Sequence, residues 1–115
     1  MMARLYYLEL PVADSARSAA FYGEAFGWGF TQFGPSYSAT MTGDTDIGLD
    51  SDTETQVKAP LPVIDTDDLE SALAAVVEAG GTIKVPIFAF PGGRRFHFID
   101  PDGHELAVSA AGGGD

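Results

Sequence analysis

The sequence predicts an α+β fold made of two copies of a β-α-β-β-β module. Alternating strands and one amphipathic helix recur in the same order in each half of the chain. The second copy is offset by 53 residues, so that Asp14 falls on Asp67 and Gly27 falls on Gly80. Each half is too small to bury a helix and a sheet face alone, so the two copies must pack together. We expect curved mixed sheets around a cavity with the helices on the outer faces; a ferredoxin-like pair of modules is the alternative.

The first module covers about residues 1–52. In its first strand, Leu8 and Leu10 point to one side and Tyr7 and Glu9 to the other. An aspartate or serine cap followed by an apolar helical stripe predicts the helix, which a glycine ends. The predicted elements are a strand over 5–11, a helix from 14 or 15 to about 26, and strands over 28–33, 37–42 and 46–50.

A polar linker of about residues 51–58 leads to the second module, which covers about residues 59–109. Asp67 or Asp68 is the predicted cap of its helix. The predicted elements are a strand over 61–64, a helix over 69–79, and strands over 82–90, 95–99 and 105–109. The glycine-rich tail, residues 110–115, is predicted to be frayed. The whole chain, residues 1–115, is therefore interpreted as one domain with two modules.

The composition excludes several classes of function. A formal net charge of −11 repels phosphate backbones and anionic membranes, so we expect neither nucleic acid nor a membrane as partner. The absence of cysteine excludes disulfides and thiolate metal sites and is consistent with a reducing cytoplasm. No apolar run resembles a membrane span or a signal peptide. We therefore expect a cytoplasmic protein.

Residues 96–108 form the most informative stretch, a strand, a tight turn and a strand. Asp100-Pro101-Asp102-Gly103 is a turn, since proline presets φ and glycine accepts a positive φ. Phe96 and Phe98 alternate with His97, and Glu105 precedes the alternating Leu106 and Val108. His97 and Glu105 therefore belong to the face opposite the core, whereas His104 belongs to the turn exit.

Two motifs resemble a known family. Phe21-Tyr22 with Phe26-Gly27-Trp28 is similar to the first helix of the vicinal oxygen chelate superfamily, which includes glyoxalase I, extradiol dioxygenases and bleomycin-binding proteins. Residues 100–106 resemble its turn before the last strand, and residues 91–98 resemble its small, single-domain, glyoxalase-like branch. The resemblance covers essentially the whole chain. It implies a fold with a cavity, a small organic molecule as partner, and frequent homodimers.

The resemblance also implies four metal-ligand positions, two on first strands and two on last strands. Here they carry Tyr7, then Pro60 or Leu61, then Gly48 and Ala107. Only the tyrosine has a donor atom, and a neutral phenol is a poor ligand for magnesium, zinc or nickel. The sequence therefore predicts no metal at these positions and no cofactor.

Strand alternation identifies candidate site residues on the face that would line the cavity. The catalytic candidates are His97, Glu105 and Glu9, and the ligand-binding candidates are Tyr7, Asp50, Arg95, Trp28 and Tyr37. Three interpretations of the catalytic set stay open. It is an ion-pair network with Arg94 or Arg95, or a small-molecule site with His97 or a carboxylate as general base. In the third, the three residues form a metal site away from the usual positions.

We therefore predict a glyoxalase-like protein that binds a small organic molecule without the usual metal. If it is an enzyme, it is a lyase or isomerase rather than a hydrolase, since no Ser-His-Asp triad is apparent. A metal-dependent lyase, isomerase or dioxygenase with relocated ligands His97, Glu105 and Glu9 is one alternative. A non-catalytic dimeric module is the other.

Overall fold

The computed structural model describes residues 2–112, and over these residues the chain forms eight strands and two helices. Their order is strand, helix and three strands, and then the same again. The elements are β1 Ala3–Pro11, α1 Ser15–Phe26, β2 Phe30–Gln32, β3 Tyr37–Thr40, β4 Asp46–Asp50, β5 Leu61–Thr66, α2 Leu69–Glu78, β6 Thr82–Phe90, β7 Gly93–Ile99 and β8 Glu105–Ala111. The predicted α+β fold of two β-α-β-β-β modules is confirmed.

Aspartate caps begin both helices. The side chain of Asp14 accepts a hydrogen bond from the backbone N–H of Arg17 at 3.1 Å, and Gly27 ends α1 in the left-handed conformation with φ 76°. The side chain of Asp68 accepts from the backbone N–H of Ser71 at 3.0 Å. Hydrogen bonds from Ser71 hold the pKa of Asp68 below its ordinary value. Of the two predicted caps of α2, Asp68 is therefore the correct one.

Within the described residues the chain forms two compact units, one of residues 7–61 and one of residues 2–6 with 62–112. In the first unit the strand order is β2-β3-β4-β1. β1 runs parallel to β4, with Glu9 opposite Gly48, while β3 runs antiparallel to β4 and β2 antiparallel to β3. The first strand of this module thus pairs with its last strand.

The second unit repeats this arrangement with the strand order β5-β8-β7-β6. β5 runs parallel to β8, with Val63 opposite Ala107, and β7 runs antiparallel to both β8 and β6. The pairing of β6 with β7 contains register irregularities on both sides of Val85. Strand β8 continues to Ala111, two residues beyond its predicted end, and residues 113–115 of the predicted frayed tail lie outside the described residues.

The hydrophobic core of the second unit lies between α2 and its sheet. Its buried members are Leu69 and Ala72 from the helix and Phe96 and Val108 from the strands. Helix α1 is much less buried. Phe21 and Phe26 belong to the apolar stripe from which this helix is predicted, and such a stripe is expected to face the core. They are instead 60% and 63% exposed and contact neighbouring aromatic rings.

Candidate functional site

Two tyrosines and a glutamate form a polar cluster in unit 7–61, on the sheet face that carries the odd-numbered residues of β1. The hydroxyl groups of Tyr7 and Tyr37 form a short hydrogen bond with each other. The Tyr37 hydroxyl donates to Oε2 of Glu9 at 3.3 Å. Both hydroxyl groups lie over Gly48, where an added Cβ would overlap them. The glycine therefore makes the room in which this cluster forms.

Burial controls the electrostatics of this cluster. Glu9 is only 6% exposed. Burial raises the pKa of Tyr37 far above its ordinary value, and the nearby Glu9 carboxylate and Tyr7 hydroxyl raise it further. Tyr37 therefore keeps its proton and acts as a hydrogen-bond donor. Three sequence-predicted candidates, Tyr7, Glu9 and Tyr37, are brought together here.

A second cluster, in the other unit, joins a histidine, a glutamate and a lysine on β7, β8 and β6. Nδ1 of His97 lies 2.8 Å from Oε2 of Glu105, and Nζ of Lys84 lies 2.8 Å from Oε1 of the same carboxylate. His97 is buried, with its ring 6.0 Å from the ring of Phe88. His97 and Glu105, both predicted on the face opposite the core, are thus in direct contact, and Lys84 is a member that sequence reasoning missed.

The charge on Glu105 determines the tautomer of the histidine. Burial opposes ionisation of Glu105, but hydrogen bonds from Lys84 and His97 outweigh it and lower the pKa of this carboxyl. An ionised carboxylate only accepts hydrogen bonds, so Nδ1 of His97 is the donor. In the neutral ring, Nε2 is then the basic nitrogen. This is the arrangement of a carboxylate that orients a histidine base.

The two arginines of β7 lie in different surroundings. Arg94 makes a two-pronged ion pair with Glu70 of α2, with N–O distances of 2.6 and 3.2 Å. The guanidinium carbon of Arg95 lies 5.5 Å from the ring centre of Phe88 and 5.9 Å from that of Phe90. Glu105 forms an ion pair with Lys84, a residue that the network predicted from the sequence did not include.

The remaining candidates, Asp50 and Trp28, have other contacts. Asp50 is buried and accepts hydrogen bonds from the backbone N–H of Asp52 at 2.9 Å and from Oγ1 of Thr55 at 3.2 Å. It therefore holds the turn that follows β4. Trp28 packs with Tyr22 and lines a cleft together with Leu8, whose side chain points away from the Glu9 face of β1.

A family model for the glyoxalase/bleomycin resistance protein/dioxygenase superfamily matches residues 4–108. The chain belongs to this superfamily. A search of curated protein sequences gave no match.

Solved structures of similar length share the fold of this chain at low sequence identity. A hypothetical protein from Bacillus halodurans C-125 has a TM-score of 0.79 at 12% identity, covering 100% of this chain and 99% of its own. The methylmalonyl-CoA epimerase of Streptomyces coelicolor has a TM-score of 0.77 at 11% identity, covering 98% and 100%. A superfamily member from Vibrio splendidus 12B01 has a TM-score of 0.66 at 16% identity, covering 96% and 99%. At these identities the likeness concerns the fold alone.

The residues at the superfamily's usual metal-ligand positions do not fit a metal. Because Asp68 is the cap of α2 and Val63 stands opposite Ala107 as Glu9 stands opposite Gly48, the counterpart of Tyr7 is Leu61 rather than Pro60. Leu61 and Ala107 are buried and have no donor atom. At Gly48 the room for a ligating side chain is filled by the hydroxyls of Tyr7 and Tyr37.

Within residues 2–112, no group of three or more histidine, aspartate or glutamate side chains is arranged to hold a metal ion. In the same range neither helix is long and apolar enough to cross a membrane.

Proposed function

We propose that this superfamily member binds a small organic molecule and does so without metal at the usual ligand positions. The observation that carries the proposal is that other residues stand at the positions where the metal-using members have their metal ligands. Leucine, alanine and glycine stand at three of its positions, and the hydroxyl pair of Tyr7 and Tyr37 fills the room at Gly48. This cluster brings two hydroxyl groups and a carboxylate together on one sheet face, and a few convergent polar groups are typical of a small-molecule site.

The chemistry of the Tyr7–Tyr37–Glu9 cluster suits a ligand with carbonyl or hydroxyl groups. The two phenols and the Glu9 carboxylate are hydrogen-bonded to one another, so a ligand carbonyl or hydroxyl group would take the place of one of these internal partners. Tyr37 stays protonated because burial and the neighbouring carboxylate raise its pKa. The cluster would orient such a ligand, in the role that a metal ion has in the metal-using members.

If the protein is an enzyme, we propose that His97 acts as the general base of an isomerase or lyase. Glu105 orients the ring and stabilises the imidazolium that forms when Nε2 accepts a proton. Lys84 keeps Glu105 ionised, so the carboxylate does not compete for that proton. The presence of an epimerase among proteins with this fold supports proton-transfer chemistry, since epimerisation removes and returns a proton.

A thermal-shift screen tests binding, because a ligand that binds the folded state raises the melting temperature by mass action. The library contains small carbonyl compounds, hydroxy acids, aromatic compounds and thiol conjugates. A compound bound by the tyrosine cluster should lose its shift in Tyr37→Phe and keep it in the control Tyr22→Phe, since Tyr22 lies in the aromatic group of α1. If no compound in the library raises the melting temperature, the proposal is overturned and a non-catalytic dimeric module is favoured.

Catalysis is tested separately with the two histidines of the chain. For any bound compound, solvent deuterium exchange or conversion is followed by NMR in His97→Gln and in His104→Gln, the second being an exposed turn residue. Loss of exchange in the first variant only supports His97 as the base. Equal exchange in both variants removes the catalytic role and leaves the binding role.

Elemental analysis tests the alternative in which His97, Glu105 and Glu9 are relocated metal ligands. Protein purified without chelator should contain far less than one equivalent of divalent metal. A stoichiometric metal that is lost in His97→Gln would overturn the metal-free proposal. A homodimer and a cytoplasmic location stay predictions from the sequence, and sedimentation of the purified protein tests the first of them.

A further inference from the structure

A cleft of about 500 Å³ lies in unit 7–61, on the sheet face opposite the tyrosine cluster. Its floor is formed by Leu8 and Ile47, which are partners in the parallel pairing of β1 with β4. Trp28, which follows the C-cap Gly27 of α1, and the turn between β3 and β4 with Thr45 and Asp46 also line the cleft. Side chains of β1 alternate, so Leu8 faces this cleft while Tyr7 and Glu9 face the other side.

The tryptophan wall is held in place and yet is open to solvent. The rings of Tyr22 and Trp28 lie nearly parallel, with centres 5.7 Å apart, and the ring of Phe26 lies 5.2 Å away. Trp28 is nevertheless 44% exposed. A large, pre-positioned and exposed indole in a cleft is a surface on which an apolar group or a cation can bind.

The turn between β3 and β4 contributes a fixed negative charge to the lining of the cleft. Oδ1 of Asp46 accepts hydrogen bonds from Oγ1 of Thr40 at 2.7 Å and from the N–H and hydroxyl of Thr42 at 2.8 Å each, and Oδ2 accepts from the N–H of Gly43 at 3.0 Å. Burial opposes ionisation, but these hydrogen bonds together outweigh it and lower the pKa of Asp46. The carboxylate is therefore charged at neutral pH, with its acceptor capacity nearly used.

The end of α1 adds to this field. Gly27, the C-cap of the helix, lines the cleft, and the last turn of α1 contains no basic residue but does contain Glu24. A helix C-terminus carries a partial negative charge, which cations stabilise. Neither Glu24 nor the helix end is compensated by a positive side chain of that turn. The cleft thus combines an aromatic wall, an apolar floor and two sources of negative potential.

We propose that this cleft binds a small organic cation of the quaternary ammonium class that carries an apolar or aromatic substituent. The cationic head would lie between the indole of Trp28 and the carboxylate of Asp46, and the substituent would cover Leu8 and Ile47. A quaternary head has no N–H group, so it needs no lone pair from a carboxylate that already accepts four hydrogen bonds. This site is separate from the site of the function proposed above, and the two proposals are tested by independent experiments.

Trp28 is the only tryptophan in the sequence, so its fluorescence reports directly on this cleft. The protein is titrated with benzyltrimethylammonium, benzyl alcohol and benzoate, which share a ring and differ in charge. We expect saturable quenching or a spectral shift with the cation, at least about tenfold weaker binding of the alcohol, and no binding of benzoate. Equal binding of the cation and the alcohol, or no response to the cation up to roughly 10 mM, overturns the proposal.

Variants locate the site by isothermal titration calorimetry, which does not depend on the fluorophore. Trp28→Leu removes the aromatic wall, and Thr45→Lys introduces a positive charge at the cleft. Each should weaken binding of benzyltrimethylammonium by about tenfold or more. The control Thr53→Lys adds the same charge to an exposed turn of the same unit and should leave the affinity within about twofold. Unchanged affinity in Thr45→Lys, or an equal loss in Thr53→Lys, overturns the assignment to this cleft.

Discussion

Replacing Gly48 by alanine tests whether the tyrosine cluster depends on the missing side chain. The backbone of Gly48 does not have a positive φ, so alanine can adopt its conformation. An added Cβ would, however, overlap the hydroxyl oxygens of Tyr7 and Tyr37 and lie 2.8 Å from Cζ of Tyr37. Both rings would have to move, and the hydrogen bond from Tyr37 to Glu9 would lengthen or break.

The expected cost follows from these contacts. Inserting a methyl group into a packed site costs about 1–3 kcal/mol. Weakening a hydrogen bond to a buried carboxylate costs about 1–3 kcal/mol more. Glycine-to-alanine replacement recovers about 0.4–1 kcal/mol because it restricts the unfolded chain. We therefore expect the free energy of unfolding to fall by about 2–4 kcal/mol in Gly48→Ala.

Urea unfolding followed by the fluorescence of the single tryptophan measures this change. The matched control is Gly29→Ala, because an added Cβ there meets no atom within 4 Å. The control should be neutral or slightly stabilised. In a background that carries both Tyr7→Phe and Tyr37→Phe, the cost of Gly48→Ala should shrink by about 1 kcal/mol or more. A cost within about 0.5 kcal/mol of the control, in either background, would refute the steric argument.

Three further predictions concern stability. Because the pKa of Glu105 is lowered from 4.5 in the folded state, its contribution to the free energy of unfolding is present above that pH and is lost as the pH falls through the lowered value. In Glu105→Gln the free energy of unfolding should therefore depend less on pH in this acid range. An unchanged pH dependence would contradict the ion-pair geometry. Phe96→Ala, at a fully buried core position, should cost about 3–5 kcal/mol in urea unfolding, whereas Phe21→Ala, on the exposed face of α1, should cost less than about 1 kcal/mol. Asp14→Ala should cost about 1 kcal/mol and Asp14→Ser much less, since serine also caps; equal costs would mean that the cap is not the reason.

The features that sequence reasoning predicts correctly are those with local causes. Helix starts follow from aspartate caps and a helix end from Gly27, because capping involves only neighbouring residues. The bounds of β4, residues 46–50, are as predicted. The shared face of His97 and Glu105 follows from a hairpin whose turn, residues 100–103, is explicit in the sequence.

The features that it misses depend on register and on long-range packing. Lys84 reaches Glu105 from a strand whose pairing is irregular on both sides of Val85, so alternation does not tell which way its side chain points. The strand predicted over 28–33 begins only at Phe30, so Trp28 lies outside it, and its place on the Leu8 side of the sheet is decided by ring contacts with Tyr22 and Phe26. Neither the direction of the Lys84 side chain nor the ring contacts of Trp28 can be derived from the order of the residues alone.

The parallel pairing of first and last strands has a consequence for how the chain folds during synthesis. The Tyr7–Pro11 part of β1 has no partner within its own module until Asp46–Asp50 has left the ribosome, and Leu61–Thr66 likewise waits for Glu105–Ala111. Antiparallel hairpins between consecutive strands can close early, whereas a parallel pair across a long connection must first close a large loop. Emergence of the final strand, rather than of the final helix, therefore sets the moment at which the second module can complete its sheet.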